Sequence, residues 1–142
     1  MPIYQNRKGG LNLIKEVKIA YEKDLQELTE NNLSNIFGLK FISSEFILGN
    51  FRLDTLAFDE DTKSFVIIEY KRDKSFSVID QGFSYLSLML NNKADFILEY
   101  NEKNNDNLQR GSIDWSQSRV LFLANSFASI QHKSVGILLS FL

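Results

Sequence analysis

Three ionisable residues near the middle of the chain have types and spacing suited to chemistry on a charged substrate. Asp54 lies within the apolar segment 51–58, and Glu69 and Lys71 stand two residues apart at the end of the apolar segment 64–71. If both segments are strands, alternation puts Arg52, Asp54 and Leu56 on one face and Leu53, Thr55 and Ala57 on the other. The same rule groups Phe65, Ile67, Glu69 and Lys71. Paired as a hairpin, the strands bring Asp54 and Glu69 within reach of each other, because directly opposed residues stand about 5 Å apart. Two carboxylates about 4 Å apart repel by on the order of 4 kcal/mol at an effective dielectric of about 20, so the pair needs a cation or a shared proton. Lys71 supplies part of that relief, and a divalent ion would supply more. An all-oxygen donor set suits Mg2+ or Mn2+ better than zinc, the more so in a chain with no Cys and one His.

Gln81 and Tyr85 follow at i and i+4, so they share one face of a helix, with Asp80 beside them. Taken singly, each of these residues has an ordinary use: a carboxylate ion-paired at a sheet end, a core Tyr with a satisfied hydroxyl, a solvated Gln. Their conjunction is what points to a site. The sole His, His132, sits in a polar stretch and receives no role, and Trp115 is expected to pack its ring over a sheet rather than stack on a base.

The elements that must position these side chains can be read from periodicity. Apolar residues at Ile14, Val17, Tyr21, Leu25, Leu28 and Leu33 predict one amphipathic helix over about 11–37, stopped at Gly38. Segments 40–48, 51–58 and 64–71 read as three strands of an antiparallel meander, joined by a tight turn at Gly49-Asn50 and a polar turn over 59–63. Segment 77–90, apolar at Ile79, Phe83, Leu86 and Leu90, predicts a second helix with Ser75 or Ser77 as its cap. A fourth strand is expected over 94–100, then a long Asn-rich connection over 101–118 and a fifth strand over 119–124. The apolar end, 135–142, is either a buried last strand or a raw edge. The order is that of a mixed α/β sandwich without repeats.

With 142 residues, 44% of them hydrophobic, and twelve Phe, five Tyr and one Trp, the chain is expected to build one core and one domain spanning 1–142. The absence of Cys excludes disulfide stapling, thiolate chemistry and Cys-ligated zinc or iron–sulfur centres. The polar N-terminus lacks the apolar stretch of roughly 7 to 15 residues of a secretory signal, and no apolar run approaches the roughly 20 residues that cross a bilayer. A cytoplasmic location and no membrane partner are therefore expected. A net charge of −2 gives the whole molecule no field for polyanions, so any nucleic-acid contact must be local. Arg72 and Lys74, directly after the carboxylate pair, are the first choice for phosphate contact, ahead of Arg7, Lys8, Lys15 and Lys18.

Asp54, the string Ile67-Ile68-Glu69-Tyr70-Lys71, and the pair Gln81 and Tyr85 together resemble the PD-(D/E)XK nuclease superfamily, the last pair resembling the Gln-x-x-x-Tyr motif of its RecB-like branch. The resemblance covers roughly residues 21–100, with Leu53 in place of the Pro of the name. More closely, the chain resembles uncharacterised bacterial proteins sometimes labelled predicted transport proteins, a label without physical basis in these residues. Members of that group run longer, which leaves a truncated C-terminus open. The resemblance implies a restriction endonuclease-like core with αβββαβ order and a mixed central sheet. It implies that Asp54 and Glu69 ligate Mg2+ or Mn2+ with help from the Tyr70 carbonyl, and that Lys71 orients the attacking water and stabilises charge on the phosphate. Gln81 and Tyr85 would position the substrate backbone or the water. An acidic residue from the first helix often joins such sites: Glu22 is the choice, Glu27 the reserve, and Glu45 on the first strand a second-rank candidate. Two functions follow as expectations, a metal-dependent nuclease acting on DNA or a catalytically silent module of the same fold that binds nucleic acid or protein. A homodimer is left open.

Overall fold

The computed structural model describes residues 2–15, 22–71, 78–124 and 136–141. In chain order these form a hairpin of β1 (Ile3–Arg7) and β2 (Gly10–Ile14), helices α1 (Glu22–Asn31) and α2 (Leu33–Phe37), and strands β3 (Lys40–Leu48), β4 (Phe51–Asp59) and β5 (Ser64–Lys71). Helices α3 (Val78–Asn91) and α4 (Lys93–Asn104) and strands β6 (Arg119–Ala124) and β7 (Gly136–Phe141) complete them.

The central sheet runs β3-β4-β5-β6-β7, with β5 and β6 parallel and every other neighbouring pair antiparallel. Gly49, at a φ of 57°, makes the tight turn between β3 and β4, a conformation that a side chain would oppose. The next turn is held by Asp59, whose Oδ1 accepts from the N–H groups of Asp61 and Thr62. Its Oδ2 takes Arg119 at 2.6 Å and so ties the end of β4 to the start of β6.

β5 is the middle strand, and every residue from Ser64 to Tyr70 is buried, as expected of a strand covered on both faces. Phe65 and Ile67 pack on one side with Leu86, Met89 and Phe96 from α3 and α4. Val66, Ile68 and Tyr70 pack on the other with Leu25 and Leu33 from α1 and α2. The fold is therefore a mixed α/β sandwich whose core order is helix, three-stranded meander, helix, strand.

Several expectations change. Residues 10–14 are a strand, because Lys8 and Gly9 both take left-handed conformations, φ 52° and 82°, that close a hairpin and leave Leu11 and Leu13 alternating with period two. The helical pattern is also divided at Asn32, whose side-chain amide bonds the Leu28 carbonyl at 2.8 Å in place of continuing the helix. Gly38 does end this region, at φ 66° with its N–H on the Ser34 carbonyl. Val17 and Tyr21 lie outside the described residues.

Residues 94–100 are helical rather than a strand. Phe96 and Tyr100, at i and i+4, face the core while Leu98 is 55% exposed, and a short apolar run of this kind does not distinguish the two conformations. The fourth strand of the core order is therefore β6. In α3 the core face is Tyr85, Leu86 and Met89, and Phe83 turns to solvent. Trp115 stacks on Phe65, with centroids 5.7 Å apart, so it does pack over the sheet. The apolar end forms β7, paired to β6. His132 lies outside the described residues, and among those described no helix is long and apolar enough to cross a membrane.

Candidate active site

The β4–β5 ladder pairs Asp59 with Ser64 through to Thr55 with Ile68, and Asp54 and Glu69 are the next residues in that register. The strands part there. Asp54 Oδ2 accepts from the Tyr70 N–H at 3.1 Å, so a side chain satisfies a backbone donor where the ladder has opened. On the other side of β4, Asp54 and Glu45 lie between the pairs Ser44–Thr55 and Phe46–Leu53. Glu45 has a φ of 58°, a left-handed conformation inside a strand. Alternation fails at this point: Leu53 joins Leu56 and Phe58 in the core under α3 and α4, whereas the reading from period two put Leu53 opposite Leu56.

Glu69 is 8% exposed and faces the α3 side of the sheet. Its carboxylate accepts from the Asp54 N–H and the Tyr85 hydroxyl. The Lys71 ammonium stands 3.9 Å from its Oε1. The Tyr85 hydroxyl in turn accepts from Gln81 Nε2 at 3.0 Å, so the helical pair reaches the strand carboxylate as a relay. Burial first, and the Asp54 carboxylate second, push Glu69 up to about 8, against the opposing pull of Lys71, the Asp54 N–H and Tyr85. Asp54 is also raised, by burial first and by the charges of Glu45 and Glu22, with the Tyr70 N–H and Arg52 opposing. Burial likewise pushes up the hydroxyls of Tyr70 and Tyr85.

The structure thus brings together Asp54, Glu69, Lys71, Gln81 and Tyr85. Glu22 and Glu27 line, with Asp54, a groove of about 630 Å³ between α1 and the β3–β4 hairpin. Glu45 is exposed and pairs with Arg52 at 2.8 Å. Tyr70 offers its N–H to Asp54 and sends its ring to the opposite face, toward α1. Arg72 and Lys74 lie outside the described residues.

Among the described residues no group of three or more Asp, Glu, His or Cys side chains is assembled as a metal cage. One atom nevertheless speaks for a cation. Glu69 Oε2 is buried and has no hydrogen-bond partner among the described residues, and a buried carboxylate oxygen in that condition carries its full desolvation cost. This buried Glu69 oxygen, with the Asp54 carboxylate beside it, fits Mg2+ or Mn2+, which are commonly held by one or two protein carboxylates with water and phosphate oxygens as the remaining ligands.

Sequence reasoning missed the support beneath the site. Gln26 Nε2 lies within 2.9 Å of the Asp54 carbonyl, 3.0 Å of Glu30 Oε1, 3.1 Å of Ser44 Oγ and 3.2 Å of Glu45 Oε1. An amide nitrogen has two hydrogens to share among these four acceptors. Glu30 also accepts from the Thr55 hydroxyl at 2.7 Å, and Thr55 meets the buried Tyr70 hydroxyl at 2.9 Å. A chain of polar groups therefore runs from α1 through β4 to β5 directly behind Asp54. The available signal was the spacing of Glu22, Gln26 and Glu30, which puts three polar residues on one helical stripe.

No family model matches the chain. An uncharacterized protein of Haemophilus influenzae is 53% identical over 131 residues, a match covering 92% of this chain and 43% of that protein. The chain thus spans less than half the length of this relative. Among solved structures, a chain of an EndoMS–dsDNA complex aligns with a TM-score of 0.48 at 20% identity, over 84% of this chain and 41% of that one. A repair endonuclease from Pyrococcus abyssi aligns with a TM-score of 0.41 at 19% identity, over 87% of this chain and 44% of that one.

Proposed function

We propose that this chain is a PD-(D/E)XK nuclease-like domain that hydrolyses phosphodiester bonds in DNA with Mg2+ or Mn2+. The observation that carries the reading is the convergence of Asp54 and Glu69 where β4 and β5 part, with Lys71 3.9 Å from Glu69 and a buried Glu69 oxygen lacking a partner among the described residues. Asp54 and Glu69 would hold the ion, with Glu22, which lines the same groove as Asp54, as the helical acid. When bound, the ion supplies Lewis-acid polarisation of a phosphoryl oxygen. Lys71, 3.9 Å from the Glu69 carboxylate, orients the attacking water and stabilises charge developing on the phosphate. Gln81 acts through the Tyr85 hydroxyl, which donates to the Glu69 carboxylate and so fixes its position. Arg72 and Lys74 follow in sequence as phosphate contacts.

Plasmid and single-stranded DNA incubated with Mg2+ or Mn2+ test the reading. Wild-type cleavage is expected to drop by on the order of a hundredfold or more in Glu69→Gln and in Lys71→Ala. Cleavage that is equal in all three proteins, or absent from wild type with either ion, would remove the enzymatic reading.

A second reading, a silent module of the same architecture, is favoured by one observation, the lack of a third carboxylate gathered beside the pair among the described residues. Calorimetry separates the two. An active centre binds Mn2+ and loses it in Asp54→Ala, whereas a silent module gives the same trace for both.

A further inference from the structure

We propose that the β1–β2 hairpin is a DNA-contacting ribbon that gives a chain of net charge −2 a local cationic surface; this rests on the reading of DNA as substrate. Every residue of both strands is exposed. Tyr4, Leu11 and Leu13 share one face, because Tyr4 is paired with Leu13 and Asn6 with Leu11, and they are 54%, 70% and 51% exposed. A two-stranded hairpin is marginal on its own in water, so this one is built to be completed by something else. Five-residue strands make a ribbon about 17 Å long, and a two-stranded ribbon fits the major groove of duplex DNA.

Charge selects nucleic acid over protein as the occupant. Residues 1–15 hold Arg7, Lys8 and Lys15 and no carboxylate, in a chain whose net charge is −2. Among the described residues none of the three is ion-paired. Arg7 and Lys8 are presented at a tip whose turn is set by two left-handed residues and by Asn6 Oδ1 accepting from the Gly9 N–H at 3.2 Å. The other polar side chains, Gln5, Asn6 and Asn12, are amides that can donate to phosphate oxygens and to base edges. Two such hairpins packed on each other would crowd like charges, whereas a polyanion neutralises them and releases its counterions.

A fluorescent mixed-sequence DNA duplex, titrated without divalent ion over a range of salt, tests the proposal on the full chain. Arg7→Gln/Lys8→Gln/Lys15→Gln is expected to bind on the order of ten- to a hundredfold more weakly at low salt, with a log–log salt slope shallower by about 0.9 for each cation that touches phosphate. Because all three positions are exposed, the variant should keep its wild-type melting temperature and its Mn2+ binding. An unchanged affinity and slope overturns the proposal, as does a wild type that does not bind the duplex. Sedimentation provides the competing outcome. If Tyr4→Ser/Leu11→Ser/Leu13→Ser converts an associated species to monomer while the charge variant binds duplex like wild type, the hairpin's occupant is a second copy and the proposal falls. Failure of the nuclease reading registers separately, as Mn2+ binding insensitive to Glu69→Gln, a readout that does not involve the hairpin.

Discussion

Between about pH 4.5 and about pH 8 the folded chain keeps a proton on Glu69 that the unfolded chain gives up, because burial and the Asp54 carboxylate raise this group more than Lys71 and Tyr85 lower it. The folded state binds more protons across that window, so stability falls as pH rises through it and levels off above. The melting temperature of metal-free protein is therefore expected to decline across the window, and Glu69→Gln should flatten the decline while abolishing cleavage. An unaltered slope in the variant would assign the effect to another group, Asp54 first. Mn2+ should raise the melting temperature most at the alkaline end, where the carboxylate is ionised. At this scale the sequence was informative: the two-residue spacing of Glu69 and Lys71 and the four-residue spacing of Gln81 and Tyr85 survive as an ion pair and a hydrogen-bonded relay.

One helix and two strands hold the carboxylates in register through Gln26. This residue anchors the Asp54 carbonyl at the point where Glu45, at a φ of 58°, disrupts the regular strand. Gln26→Ala should cost about 1 to 2 kcal/mol of stability by urea denaturation, the scale of a few part-buried hydrogen bonds. As a positioning residue it should also weaken Mn2+ binding, and Gln26→Glu, which restores shape but places an anion against Glu30 and Glu45, should not rescue it. Equal Mn2+ affinity in wild type and Gln26→Ala would confine the residue to a structural role. Element identity was legible where a strand or helix carried its own turn chemistry, as at Gly38 and Gly49. It was not legible at 94–100, where an apolar cluster suits either conformation and only the packing of Phe96 and Tyr100 against the sheet selects the helix.

Across the whole molecule, the site depends on a sheet covered on both faces, and Phe65 sits where the two layers and the long connection meet. Its ring is fully buried and touches Phe58, Phe96, Tyr100 and Trp115. Phe65→Ala should lower stability by about 3 to 5 kcal/mol, measured by thermal or urea melts, and should do so without altering the proton held on Glu69 at the far end of the same strand. Residue types and short spacings determined, before any folding, that two carboxylates, an ammonium and a Gln–Tyr pair were available near two strands and a helix, because those relations lie within a few residues of one another. Tertiary structure alone decided that the hairpin stands apart with its cations outward and that the ladder opens at Asp54. It alone decided that α1 braces the site through Gln26 and Glu30. Each of these depends on contacts between segments tens of residues apart, and alternation and helical periodicity carry no information about which distant segment a side chain will meet.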